Sequence, residues 1–161
     1  MCLSKIEQVF DPPQQGVKKG FKVLEIVEDG KKQFPHMLTE ISIGDDWVKD
    51  SNTYDLDTHS LERYRTGFHV FLNRADAISY WFFCDQIMGR RYKYLWSAKP
   101  GPVPRVALPE RTFKIFEVEY DDVVAIGEQP IATHPNALSL SDVNTFHPCI
   151  VARKLRVLAC A

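Results

Sequence analysis

The sequence predicts an α+β domain in which one principal helix, over about residues 74–88, packs on a mostly antiparallel sheet of six or more strands. Three observations carry this prediction. Short runs of branched and aromatic residues recur along the chain and are punctuated by Gly, Pro, Asn and Asp. Only one segment repeats apolar residues at spacings of three and four. The 161 residues, 45% of them apolar, suffice for one core without disulfide or metal staples, so a single domain over 1–161 is expected.

Near the N-terminus, Cys2 to Phe10 leads into Asp11-Pro12-Pro13, where two prolines end any helix and fix an extended turn. Phe21-Lys22-Val23-Leu24-Glu25-Ile26-Val27 reads as a strand entering a hairpin at Glu28-Asp29-Gly30, with Gln33 to Leu38 returning. A short strand is centred on Trp47, and the polar, acidic stretch from Asp50 to Ser60 reads as a surface loop. Phe68-His69-Val70-Phe71-Leu72 is a buried strand. Asn73 then caps the helix with Asp76 in its first turn, and Gly89 is a fitting stop. Ala75, Ile78, Phe82 and Trp81 form the stripe expected to lie on the sheet.

Pro100, Pro102, Pro104 and Pro109 make a stiff connector inside the same domain. Beyond it, Thr112 to Tyr120 and Val123 to Gly127 read as two strands joined by a turn at Asp121-Asp122. Ile131 to Thr145 reads as an irregular excursion, and Cys149 to Leu158 as the last strand, with 149, 151, 155 and 157 inward and Arg153 interrupting the row.

Charge and composition exclude several function classes. Lys and Arg number 20 against 21 Asp and Glu, so no global field draws the chain to a phosphate backbone or an anionic membrane. Charge is instead segregated locally, in the acidic loop and in an Arg90-Arg91-Tyr92-Lys93-Tyr94 run whose aromatics could stack on single strands but more often mark a solvated face. Apolar runs of about six residues fall well short of the roughly 20 needed for a membrane span. Cys2, Cys84, Cys149 and Cys160 are too scattered for a zinc or redox motif and no export segment precedes them, so reduced thiols in a cytoplasmic protein are expected. The phosphate-cradling glycine loops, HExxH, DxDxDG and GxSxG are all missing from the sequence, and His36, His59, His134 and His147 have no i, i+4 partner that would place two imidazoles on one metal. Neither a metal nor a cofactor is expected.

The candidates that remain are individual side chains. His69 interrupts an apolar strand, where an imidazole must find a partner, as a core hydrogen bond or as a general base facing a cleft. Removal of Met1 would expose the Cys2 α-amine beside its thiol, the arrangement of N-terminal nucleophile hydrolases; the plainer alternative is a small buried thiol. Glu128 and Gln129 follow a hydrophobic strand, at a turn where sites often form. Arg153 needs a carboxylate or an anionic ligand, and Glu128 or Glu119 would serve.

Met1-Cys2-Leu3, Gly20-Phe21-Lys22-Val23, Tyr64 to Phe71 with the helix after it, Val118 to Gln129 and Val151-Ala152-Arg153 together resemble a loose group of small bacteriophage and bacterial proteins. That resemblance implies a phage or prophage accessory protein in the bacterial cytoplasm, and it names no reaction. A second likeness is to mono-ADP-ribosyltransferases, whose NAD site combines a strand His or Arg, a Tyr or Ser and a later Glu. His69, Tyr80 and Glu128 match in that order, although Tyr80 falls on a helix and Ile126 stands where the acidic or amide partner of the Glu would be. The leading expectation is a binding protein for a host protein or small ligand, acting through His69, Glu128, Gln129 and Arg153 as one site. The alternative is a small enzyme, either a hydrolase with Cys2 as nucleophile and His69 as base or an NAD-using transferase binding through Tyr80.

Overall fold

Nine strands and one helix follow one another along the chain in a computed structural model that describes residues 3–27, 30–34, 43–52, 54–58, 62–88, 112–132 and 143–161. The strands are β1 (Lys5–Gln14), β2 (Lys18–Ile26), β3 (Lys32–Gln33), β4 (Val48–Lys49), β5 (Asp55–Asp57), β6 (Arg63–Arg65), β7 (Phe68–Phe71), β8 (Thr112–Ala132) and β9 (Val143–Cys160). The helix, α1 (Arg74–Phe82), continues into a π turn over Phe83–Met88. Every pairing is antiparallel, and the fold is α+β as the sequence predicts. Cys2, the Gly89 stop, the Arg90 to Tyr94 run, the proline connector, His36, His59 and His134 lie outside the described residues.

The large sheet closes on itself. β8 pairs with β2 along one edge and with β9 along the other, β7 pairs with β9, and β7 meets β2 through the single pair Phe21 and Phe71. Gly20 permits that closure, because a Cβ there would stand 2.6 Å from Val70 Cγ1 and 2.8 Å from the Phe71 carbonyl oxygen. Leu24, Phe68, Val70, Phe116, Val118, Tyr120, Leu155 and Val157, contributed by all four strands, fill the ring, with Phe34 and Ile43 in the same cluster. β2 and β7 part beyond Phe21, and Lys22 spans the gap by donating from Nζ to the His69 carbonyl at 2.5 Å.

Two further clusters lie outside the ring. The helix covers Val23, Phe71, Phe113, Ile115 and Ile131. The β5–β6 hairpin seals Leu3, Val124, Ala125, Cys149 and Val151 beneath Tyr64. Asn73 caps the helix as expected, accepting from the Asp76 amide at 3.0 Å. The buried stripe, however, is Ala77, Tyr80 and Cys84, while Ala75, Ile78 and Phe82 are exposed. The buried face is displaced by two positions from 75, 78 and 82, about 200° around the helix, and carries Tyr80 onto Phe71 with ring centroids 5.4 Å apart, while Trp81 of the expected stripe does reach the sheet, donating from Nε1 to the Phe113 carbonyl at 2.8 Å.

Four other expectations are corrected. Pro12 and Pro13 stand inside β1, which tolerates them because it is the edge of the sheet. The acidic stretch contains β5, paired through Asp55, Leu56 and Asp57 with Arg65, Tyr64 and Arg63. Asp121-Asp122 is no turn between two strands. Asp122 takes a left-handed φ of 56° within the continuous β8, and the bend is tied by Asp121 Oδ1, which accepts from the Gly16 and Asp122 amides, both at 2.8 Å. That bend also divides the inward row of β9, so that Cys149 and Val151 pack under the hairpin while Leu155 and Val157 enter the ring.

Candidate functional site

His69 lies on the outer face of β7, directly across from Val151. Its Nε2 is 3.2 Å from the Tyr64 hydroxyl, whose oxygen accepts from the Leu3 amide at 2.8 Å. The hydroxyl can donate to Nε2 or accept from it, according to which imidazole nitrogen carries the proton. Burial, reinforced by the nearby Lys22 ammonium, holds the imidazole well below its ordinary range. His69 is therefore neutral at pH 7 and, through Tyr64, joins β6, β7 and the N-terminal segment.

The other expected residues are held by different partners. Tyr80 is buried between Phe71 and Phe83. Glu128 presents its carbonyl to Ser4, accepting from the amide at 2.8 Å and from Oγ at 3.0 Å. Gln129 sits inside β8 rather than on an exposed turn, only 2% exposed, and its Oε1 accepts from the Cys149 thiol at 3.5 Å. Burial pushes that thiol up to about 12, which removes it as a nucleophile near neutrality. Arg153 is paired with neither Glu128 nor Glu119. Its Nη2 donates to the Asp50 carbonyl at 2.5 Å, its own carbonyl accepts from the Asp50 amide at 2.8 Å, and Glu119 goes to Arg156.

Register separates these residues. Gln129 pairs with His147, and position 153 is six residue steps further along extended β9, roughly 20 Å at about 3.3 Å per residue. The structure therefore does not bring Gln129 and Arg153 together in one site.

Two arrangements outside the expected set have the geometry of sites. The first is a groove of about 150 Å³ between β1 and the β5–β6 hairpin, lined by Val9, Phe10, Asp11, Pro13, Asp55, Arg63, Tyr64, Arg65 and Val124. Glu62 Oε2 accepts from the Ile6 amide at 3.5 Å, so the hairpin runs along the edge of β1 at one end and the groove lies between the two strands beyond it. Arg63 meets Asp57 at 2.9 Å and Arg65 meets Asp55 at 4.0 Å, and all four side chains are at least half exposed. Such pairs are worth little and exchange readily for another carboxylate. The alternation Asp-Leu-Asp and Arg-Tyr-Arg is the sequence signal that marks this hairpin.

The second arrangement joins α1 to β9. His147 Nδ1 is 2.6 Å from Asp76 Oδ1 and its Nε2 is 3.1 Å from Thr145 Oγ1. The His147 and Asp76 side chains are only 13% and 14% exposed, whereas Thr145 is exposed. The strand places Thr145 and His147 on one face through their i, i+2 spacing, a signal present in the sequence, but nothing local announces Asp76, 71 residues earlier, as the partner.

Among the described residues no group of three His, Cys, Asp or Glu side chains could hold a metal, and no helix is long and apolar enough to cross a membrane. Compared with protein-family models, with curated proteins and with solved structures, the chain matches none.

Proposed function

We propose that the chain is a binding protein of phage or prophage type, acting in the bacterial cytoplasm, which takes an extended segment of a host protein in the groove between β1 and the β5–β6 hairpin. The observation that carries this reading is the groove itself, with a strand edge that no other described strand pairs on one wall and two exposed guanidinium groups on the other. A strand edge supplies main-chain partners for an extended peptide, and the apolar Val9, Phe10 and Val124 give its side chains somewhere to lie. Volume favours a peptide over a compact small ligand, since about 150 Å³ is well below the roughly 300 Å³ at which drug-sized pockets begin. A carboxylate on the incoming segment displaces Asp57 or Asp55 from its arginine at little cost.

The enzyme alternatives find less support. The hydrolase reading needs His69 Nε2 free for a nucleophile when it is engaged with the Tyr64 hydroxyl, and the transferase reading needs Tyr80 open to a ligand when it is part of the core.

Immobilised full-length chain tests the proposal against bacterial lysate, beside the double variant Arg63→Glu/Arg65→Glu and a control, Lys114→Glu, on an exposed position of β8. Wild type and control capture the same protein, and the double variant captures at least about tenfold less, corresponding to two charge-assisted contacts reversed. Equal capture by the double variant, or no specific capture by wild type, overturns the reading.

A further inference from the structure

The geometry points to a second activity: Thr145, His147 and Asp76 form an acyl-transfer site in which Thr145 Oγ1 is the nucleophile, His147 the general base and Asp76 the positioning residue. This goes beyond the binding groove and rests on different residues.

Nucleophilic hydroxyl catalysis needs a base within hydrogen-bond reach of the hydroxyl and a third group that orients the base. Both contacts are present, at 3.1 Å and 2.6 Å. Because Asp76 Oδ1 takes the Nδ1 proton, the lone pair of neutral His147 lies on Nε2, the nitrogen beside the threonine hydroxyl. The distribution of exposure fits the same roles. His147 and Asp76 are largely withdrawn from water, where an imidazolium–carboxylate pair is electrostatically effective, and Thr145 is open to a substrate. Asp76 Oδ2 is buried with no hydrogen-bond partner among the described residues, so the carboxylate retains charge to set against the imidazolium that forms.

The substrate class is an ester of a small acyl group, since the reacting hydroxyl stands at the surface rather than in a deep cleft. Thr145 Oγ1 attacks the acyl carbonyl while its proton passes to His147 Nε2. Collapse of the tetrahedral intermediate breaks the ester bond, and the leaving alkoxide takes the proton from His147. Water then attacks the acyl-threonine with His147 as base, releasing the carboxylic acid and restoring the hydroxyl.

The test uses the full chain with p-nitrophenyl acetate and with a fluorophosphonate probe, followed by mass spectrometry of the labelled peptide. Wild type is expected to release p-nitrophenolate and carry acetyl or phosphonyl on Thr145. Thr145→Ala loses both while keeping the wild-type circular dichroism and melting temperature, and Thr145→Ser keeps them. Asp76→Asn slows labelling by roughly 10- to 100-fold and moves its pH dependence, a response that a purely structural contact would not give. Labelling that persists in Thr145→Ala, or that falls only on lysine or cysteine, overturns the assignment, as does wild type that is neither acylated nor phosphonylated.

Discussion

Lys22→Met should make the protein more stable at neutral pH and remove a specific piece of its pH dependence. Lys22 is 9% exposed, has no carboxylate in ion-pair reach among the described residues, and holds its ammonium 4.9 Å from the centre of the Phe34 ring. Burial lowers its pKa from 10.5 to about 8, opposed in part by Cys149 and Cys84. Keeping the charge inside at pH 7 therefore costs about 3 kcal/mol, at 1.36 kcal/mol per pH unit. Methionine removes that cost but leaves the His69 carbonyl without its donor, a loss of about 1–2 kcal/mol. The net gain is about 1–2 kcal/mol.

The sign of the pH effect follows from the protons bound. Between about pH 8 and 10.5 the unfolded chain still protonates Lys22 while the folded chain does not, so wild-type stability rises with pH across that window. The variant lacks this rise, and its advantage should shrink and then reverse by pH 10.5. Urea midpoints of both proteins at pH 7 and near pH 10.5 give the comparison, in which titration of all other groups cancels. A stability difference that does not change with pH would refute the assignment of a buried, charge-penalised amine.

Gly127→Ala should be the most damaging single-methyl change in β8. A Cβ at this position would stand 2.1 Å from the Lys5 carbonyl oxygen and 3.1 Å from Leu3 Cδ1. The first obstacle is backbone, and it belongs to the strand that Gly127 pairs with through Ile6. β1 must therefore move away, which uncovers Leu3, fully buried in the cluster under the hairpin. Overpacking of this kind costs about 3 kcal/mol. Limited proteolysis should show cleavage within 5–14 that wild type resists, and since β1 is one wall of the groove, partner capture should fall with it. Wild-type denaturation and unchanged protection of this segment would show that β1 does not depend on the glycine.

Local signals made much of the fold legible. The Asn73 cap and the Asp76 first turn are set by neighbours three residues apart, and the runs around Phe21 to Ile26, Phe68 to Phe71 and Thr112 to Tyr120 are strands because branched and aromatic side chains cluster there. The failures occur where partners distant in sequence decide. Asp121-Asp122 has turn composition, yet β9 pairs across it and keeps the strand continuous. Pro12 and Pro13 have the composition of a strand end, yet an edge position demands no donor from them.

The same limit governs the sites. Arg153 was expected to find a side-chain acid, but the chain delivers the Asp50 carbonyl to it from another strand end. His69 does find the partner that an imidazole in an apolar strand requires, and that partner, Tyr64, lies in a hairpin whose Asp-Leu-Asp and Arg-Tyr-Arg alternation is weak beside the charge around it. The groove arises only when that hairpin is laid along β1, and neither segment marks it alone.

The binding account is tested most directly by amide hydrogen exchange on the full chain, free and in complex with the protein it captures from lysate. Exchange should slow on β1 across residues 5–14 and on β6 across residues 63–65, with the helix and β4 unaffected. Protection confined to the helix or to the β4 edge, with β1 and β6 exchanging as in the free chain, would contradict it.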